Sequence, residues 1–139
     1  MAVKTTTLEF STPGGSEIMD ITGHVQEALE RSRLTEGLLT VFVPGSTGGV
    51  ITLEHEPGLV RDLKEAFERW APSDRPYHHD RTWGDGNGHS HVRASLVGPS
   101  LSVPFSEGRL TLGRWQQIAF VDFDTRPRRR LLILQMIGE

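Results

Sequence analysis

The stretch GDGNGHSHVRAS, residues 84–95, places an Asp, an Asn and two histidines one residue apart at the exit of a glycine-rich turn. If the chain enters a strand over 91–97, period-2 geometry puts His91, Arg93 and Ser95 on one face. His89 then shares the parity of His91, and two imidazoles at i and i+2 converge on one cation. His79, in YHHD (77–80), supplies a third nitrogen. Three neutral imidazoles plus a water form a familiar zinc arrangement, in which the metal lowers the pKa of the bound water. Histidines beside Gly and Asn also bond to turn backbone, and spacing alone leaves both readings open. Asp85 can orient a histidine or help hold a divalent ion. With Asn87 and glycines 84, 86 and 88 it forms either a plain hairpin turn or a loop whose N–H groups point at an anion.

Other residues carry related chemistry. PGSTGG (44–49) lies between two expected strands, so its amides and the Ser46 and Thr47 hydroxyls can cradle a phosphate, or simply close a loop. It is not a P-loop, because no Lys follows the last Gly and no helix opens there. Glu54, at a strand end, is a candidate general base or metal ligand. Arg93, Arg109, Arg114 and the run RPRRR (126–130) read either as solvated charge or as an anion clamp for phosphate or carboxylate. Trp83 and Trp115 could stack a heteroaromatic ring, although burial is the commoner use of a large aromatic such as Trp115.

Elements must position these groups. The 139 residues fit a single domain, 1–139, with a real core. KTTTLEFST (4–12), LLTVFV (38–43) and 50–53 read as strands. The segment 22–33 is expected to be helical, with Val25, Ala28, Leu29 and Ser32 on one face and Thr22 or Asp20 as cap. Pro57 opens a second helix in which Leu59, Leu63, Phe67 and Trp70 recur, and 71–76 is a loop. Short strands follow at 91–97, 100–105, 109–112, 116–123 and 130–137. That pattern is α+β, with about two helices covering a mainly antiparallel sheet or β-sandwich.

Composition narrows the function classes. Fifteen basic residues against 18 acidic give no wholesale attraction for nucleic acid or anionic membrane. There is no cysteine, so a metal must be held by His, Asp, Glu or backbone oxygen. No stretch approaches the roughly 20 apolar residues of a membrane span, and MAVKTTTLEF lacks the apolar run of a signal peptide. A cytoplasmic domain is the expectation.

The run from Asp85 to Asp124, DGNGHSHVRASLVGPSLSVPFSEGRLTLGRWQQIAFVDFD, resembles the signature region of the YjbQ family, named for a secondary thiamine-phosphate synthase activity. VFVPGSTGGVITLEHEPGLVRDL (41–63) and the terminal LILQMIGE are similar to that family's earlier block and ending. The resemblance implies a sandwich-containing α+β fold, a homotrimer, and a polar pocket of histidines and an acidic residue with a divalent metal, zinc or magnesium. By position these are Glu54, His79 and His91; Asp85, Ser95, Ser100, Arg109, Trp115 and Gln116 also fall on pattern positions. The implied substrate is a phosphorylated small molecule: a pyrimidine pyrophosphate joined to a thiazole phosphate with release of pyrophosphate. The alternatives are a trimeric protein that binds metal or an anionic metabolite, and a metal-dependent hydrolase of a phosphorylated metabolite. Many relatives carry His-Thr-Thr or His-Thr-Ser where this chain has Gly45-Ser46-Thr47. His89 is therefore expected to replace that histidine, giving a His79/His89/His91 metal set.

Overall fold

Runs of β-branched and aromatic residues punctuated by Gly and Pro give this chain eight strands. The computed structural model describes all residues, Met1–Glu139. In chain order the strands are β1 (Ala2–Thr12), β2 (Glu17–Asp20), β3 (Gly37–Phe42), β4 (Gly48–Leu53), β5 (Ser100–Ser106), β6 (Arg109–Leu110), β7 (Gln117–Asp122) and β8 (Arg128–Gly138). The helices are α1 (Thr22–Ser32), α2 (Pro57–Trp70), α3 (His78–Trp83) and α4 (Gly88–Val97).

Two antiparallel sheets result. The larger has the order β1-β8-β3-β5-β6 and the smaller β2-β7-β4. Strict alternation along β8 buries Arg130, Leu132, Leu134 and Met136 and turns Leu131, Ile133, Gln135 and Ile137 outward. Strand β7 (QIAFVD) has no such alternation, because both its faces are covered. Ile118 and Phe120 join the core between the sheets, along with α1 through Val25 and Leu29. Ala119 and Val121 join a second core with Phe67 of α2 and Ala94 of α4. The molecule is therefore layered as large sheet, small sheet, then α2 and α4. Each fully buried Phe or Leu in these layers contributes about 1.5–3 kcal/mol.

The caps are local and legible. Asp20 Oδ1 accepts from the Thr22 N–H at 3.0 Å just ahead of α1, whose N-cap is Ile21 rather than the expected Thr22 or Asp20. The Glu56 carboxylate accepts from Gly58 and Leu59, with Pro57 at the first position of α2.

Two expectations are corrected. Residues 91–97 are helical, in α4, which joins α1 and α2 against the sheets, and a further short helix, α3, precedes it and packs on α4. Helix α4 runs from the turn at Asn87 to Gly98-Pro99 and makes a backbone bond from Gly98 N to Ala94 O at its end. It lies against β4, where Gly49 leaves room: an added Cβ there would sit 2.6 Å from Val97 Cγ1. The strand expected over 109–112 is only the two residues of β6.

Candidate functional site

The helical state of 88–97 redistributes the residues that a strand would align. On a helix, residues two apart face nearly opposite ways, while residues four apart share a face. His91 therefore pairs with Ser95, and His89 pairs with Arg93.

The His91 face opens into a shallow cleft of about 190 Å³, lined by His91, Ala94, Ser95, Pro99 and the Gly45-Ser46 and Gly48 backbone of the β3–β4 loop. The Ser95 hydroxyl donates to the His91 carbonyl at 2.8 Å and keeps its lone pairs free. Helix α3 brings the His79 ring to 4.2 Å from the His91 ring, tilted by 35°. His79 Nδ1 lies 3.8 Å from Asp85 Oδ1 and, although inaccessible, has no hydrogen-bond partner. His79, Asp80 and Asp85 each present an atom within 4.8 Å of the others. Trp83, one helical turn beyond His79, is 74 % exposed.

Local geometry fixes this cluster. Asp80 accepts from Tyr77 N and Gly88 N, each at 3.0 Å, which ties the start of α3 to the start of α4. Those two N–H groups hold its carboxyl below the usual range. Gly88 must lack a side chain, since a Cβ would lie 2.5 Å from Tyr77 Cβ. The Asn87 amide lies between two carboxylates, 3.0 Å from Asp85 Oδ1 in one orientation of the amide and 3.5 Å from Asp124 Oδ1 in the other. Burial, with the neighbouring His79, holds the His91 imidazole below its ordinary pKa, so the ring is neutral at pH 7.

The expected His79/His89/His91 set does not form within one chain. His89 is on the buried side of α4, its ring 6.3 Å from that of Tyr77. Desolvation, and then Arg93, lowers its pKa. The three-residue cluster with ligand spacing uses His79, Asp80 and Asp85. An orphaned imidazole nitrogen beside two carboxylates fits a divalent cation that accepts mixed N/O donors. The spacing of YHHD hid Asp80, whose signal was its position three residues after Tyr77, the return half of a capping box.

Several expected residues are engaged elsewhere. Arg93 is 4 % exposed and donates from all three nitrogens, to Ala71 O, Ser16 Oγ and Glu68 Oε1, bolting α4 to α2 and the β1–β2 turn. Thr47 is buried, accepting from Arg130 Nη2 at 2.8 Å and reaching Asp124 Oδ2 at 3.4 Å. Arg130 in turn grips Asp122 through Nε (2.9 Å) and Nη2 (2.6 Å). The arginine run is thus divided: Arg128 pairs with Asp124, Arg129 with Glu9 and Arg130 with Asp122. It is not a clamp. Glu54 follows the end of β4 opposite Gly48, roughly 20 Å along the strand from the cleft. Arg109 lies on β6 beside Arg33 and Glu107, and Gln116 caps its own turn by accepting from Gly113 N. Trp115, 64 % exposed with Arg114 over its ring, is not core. Of the expected groups, the fold gathers Ser46, His79, Asp85, His91 and Ser95.

This architecture is that of a known class of two-sheet α+β proteins. A YbjQ-like protein of unknown function from Sulfolobus solfataricus P2 superposes with a TM-score of 0.90 at 28 % identity, covering 99 % of this chain and all of that one. A YjbQ/UPF0047-family protein from Clostridium acetobutylicum gives 0.83 at 32 % identity, covering 94 % and 99 %. The family model described as UPF0047 protein YjbQ-like matches residues 6–139, and the chain belongs to that family. Among its relatives, a UPF0047 protein of Archaeoglobus fulgidus is 39 % identical over 91 % of this chain and 96 % of its own length. YugU of Bacillus subtilis is 34 % identical over 95 % and 98 %. No helix of the chain is long and apolar enough to cross a membrane.

Proposed function

We propose that the cleft between α3, α4 and the β3–β4 loop transforms a phosphorylated small molecule, in the manner of a secondary thiamine-phosphate synthase. In that reaction a pyrimidine pyrophosphate joins a thiazole phosphate, the C–O bond to pyrophosphate breaks as the C–N bond forms, and pyrophosphate leaves. The observation that carries the reading is the His79–His91 pair at 4.2 Å, with the His79 nitrogen unpartnered beside Asp85. A divalent ion held by His79, Asp85 and Asp80 would neutralise charge on the departing group. His91, neutral at pH 7, accepts a proton at the cleft wall. The Ser46 and Ser95 hydroxyls meet phosphate oxygens there, and Trp83 offers a ring for the pyrimidine to stack on. The reading includes a cytoplasmic homotrimer.

Purified protein given both precursors, with and without added magnesium or zinc, tests it. Product formation that falls at least about 100-fold in His91→Ala supports the reading, in line with loss of a general acid or base. Equal traces from wild type and His91→Ala reject it. One observation favours a second reading, a binding protein or a hydrolase without a covalent intermediate: the Ser95 hydroxyl bonds to its own helix rather than to a base. Tight binding of either precursor without turnover would select the binding protein, and release of inorganic phosphate from a single precursor the hydrolase.

A further inference from the structure

The core-facing row of β1 changes character halfway along. Residues directly paired across two strands share a face. Phe10, Leu8, Thr6 and Lys4, opposite Arg130, Leu132, Leu134 and Met136, therefore all look toward the core. Phe10 meets Phe120 edge-on at 5.4 Å, and Leu8 packs on the same core. Thr6 and Lys4 remain exposed. Across from them, α1 gives Val25 and Leu29 to the core, and its adjoining stripe is His24, Glu27, Ala28 and Arg31, at i, i+3, i+4 and i+7. Between strand and stripe lies a cavity of about 430 Å³, floored by Leu134 and Met136. It shares no residue with the His91 cleft.

An apolar side chain at position 6 would close this gap over Leu134 and bury more surface. The chain carries threonine there, and the gap stays open. Its volume falls within the roughly 300–1,000 Å³ of small-molecule sites, and its lining has their make-up, apolar surface with a few polar groups converging on it. Charge on the walls is uneven. Glu27 is taken up by Arg31, one turn further along α1. Lys4 and His24 keep free N–H donors on facing walls. Edge strands do turn a lysine inward to discourage strand addition. That device needs neither a cavity nor a second free donor across it.

We infer that this cavity binds a small carboxylate with an apolar body, of the shape of a medium-chain fatty acid. The wall from Lys4 to Leu8 is roughly 13 Å long at ordinary strand rise. It carries an ammonium at one end and an apolar side chain at the other. The carboxylate meets Lys4, with the His24 N–H as a second donor, and the apolar body lies on Leu8, Ala28 and Leu134. Inorganic phosphate finds the same donors but leaves the apolar surface wet. The inference is independent of the chemistry proposed for the His91 cleft.

Sodium octanoate is the probe, titrated into the full chain, with calorimetry for affinity and amide and methyl NMR shifts for location. Wild type should bind it saturably, with shifts confined to residues 4–8, 24–32 and the methyl groups of Leu134 and Met136. Lys4→Met should weaken binding at least about 10-fold, through loss of a hydrogen bond to a charged group. The control Lys64→Met, on α2, should leave it unchanged. Thr6→Leu should abolish binding and raise the melting temperature, because it fills the gap. If Thr6→Leu misfolds instead, Lys4→Met decides, since it alters an exposed side chain. Binding that does not saturate, or shifts scattered over the surface, overturns the site. Equal affinity in Lys4→Met and Lys64→Met also overturns it and leaves Lys4 as an edge guard. Inorganic phosphate that binds as tightly as octanoate rejects the carboxylate class.

Discussion

Two polar regions of this protein lie within a few residues of each other and are built oppositely. In the network of Arg130, Asp122, Thr47 and Asp124, and in that of Arg93, Ser16 and Glu68, buried charges are matched by short hydrogen bonds. In the cleft, His79 Nδ1 is shielded and unpartnered, the His91 imidazole is only partly covered, and Asp85 stands 3.8 Å off. A saturated network has no valence left for a ligand, so it holds elements together. An unsaturated cluster keeps an orphaned group at a cost to stability and retains the capacity to bind. Arg93 and Arg130, two of the arginines the sequence offers as anion receptors, are therefore scaffold, and the groups left open to a ligand are histidine and aspartate.

The largest effect should come from breaking the saturated side. Asp122 is 0 % exposed and Arg130 5 % exposed, so Asp122→Ala strands a buried guanidinium. It should cost about 3–5 kcal/mol in urea denaturation. Removing both ends, as in Asp122→Leu/Arg130→Met, should cost clearly less, because no unpaired charge remains. If the single and double variants lose equal stability, the network is not the bolt described here.

Next is the open side. His79→Ala and His91→Ala remove groups that hold nothing in place, so each should change unfolding free energy by no more than about 1 kcal/mol. The same variants should lose at least about 100-fold in turnover or metal-dependent binding. A collapse of stability in either would place these histidines with the scaffold.

The contrast explains what the sequence made legible. Strands β1, β3, β7 and β8 and helices α1 and α2 were readable because runs of β-branched and apolar residues mark the strands, period 3.6 persists along the helices, and Glu56-Pro57 marks the start of α2. Residues 88–97 were not, because H-x-H invites strand parity and only ten residues carry the helical period. The turn before and Gly98-Pro99 after are helix boundaries, and Ser90, Ala94 and Val97 repeat at helical spacing. The pairing of His79 with His91 and Asp85 was legible by residue type and not by geometry. Whether an arginine is free or buried depends on partners such as Asp122 and Glu68, 8 and 25 positions away. No local pattern announces them.

A smaller effect comes from acid. Arg93 donates to Glu68 and, with Ser73 N–H, holds its carboxyl down at about 2 from the ordinary 4.5. The folded state thus binds the proton less readily than the unfolded one. The contribution is complete above about pH 4.5 and is lost as pH falls toward 2. Glu68 is half exposed, which reduces its worth to about 1 kcal/mol. Glu68→Gln should flatten the acid limb of stability in that window. An unchanged limb would mean that Arg93 is anchored by Ala71 and Ser16 alone.

The smallest effect separates the two faces of α4. His89 and His91 both titrate below the ordinary 6.5 because burial disfavours the imidazolium, and a neighbouring positive group adds to it: Arg93 for His89, His79 for His91. As pH falls below about 6.5 the unfolded chain takes up protons that the folded chain still refuses, so stability declines toward each depressed value. His89 is buried against Tyr77 on the scaffold side, and no ligand in the cleft reaches it. His91 lines the cleft itself. His89→Gln should therefore remove part of that slope below about pH 6.5, whether or not zinc or magnesium is present. His91→Gln should remove a similar part, and a cation held by His79, Asp80 and Asp85, which competes with protons at His79, should steepen the slope in both chains, more in wild type than in His91→Gln. A metal-dependent change in slope that vanishes in His89→Gln instead would restore His89 to the site and contradict its assignment to the scaffold.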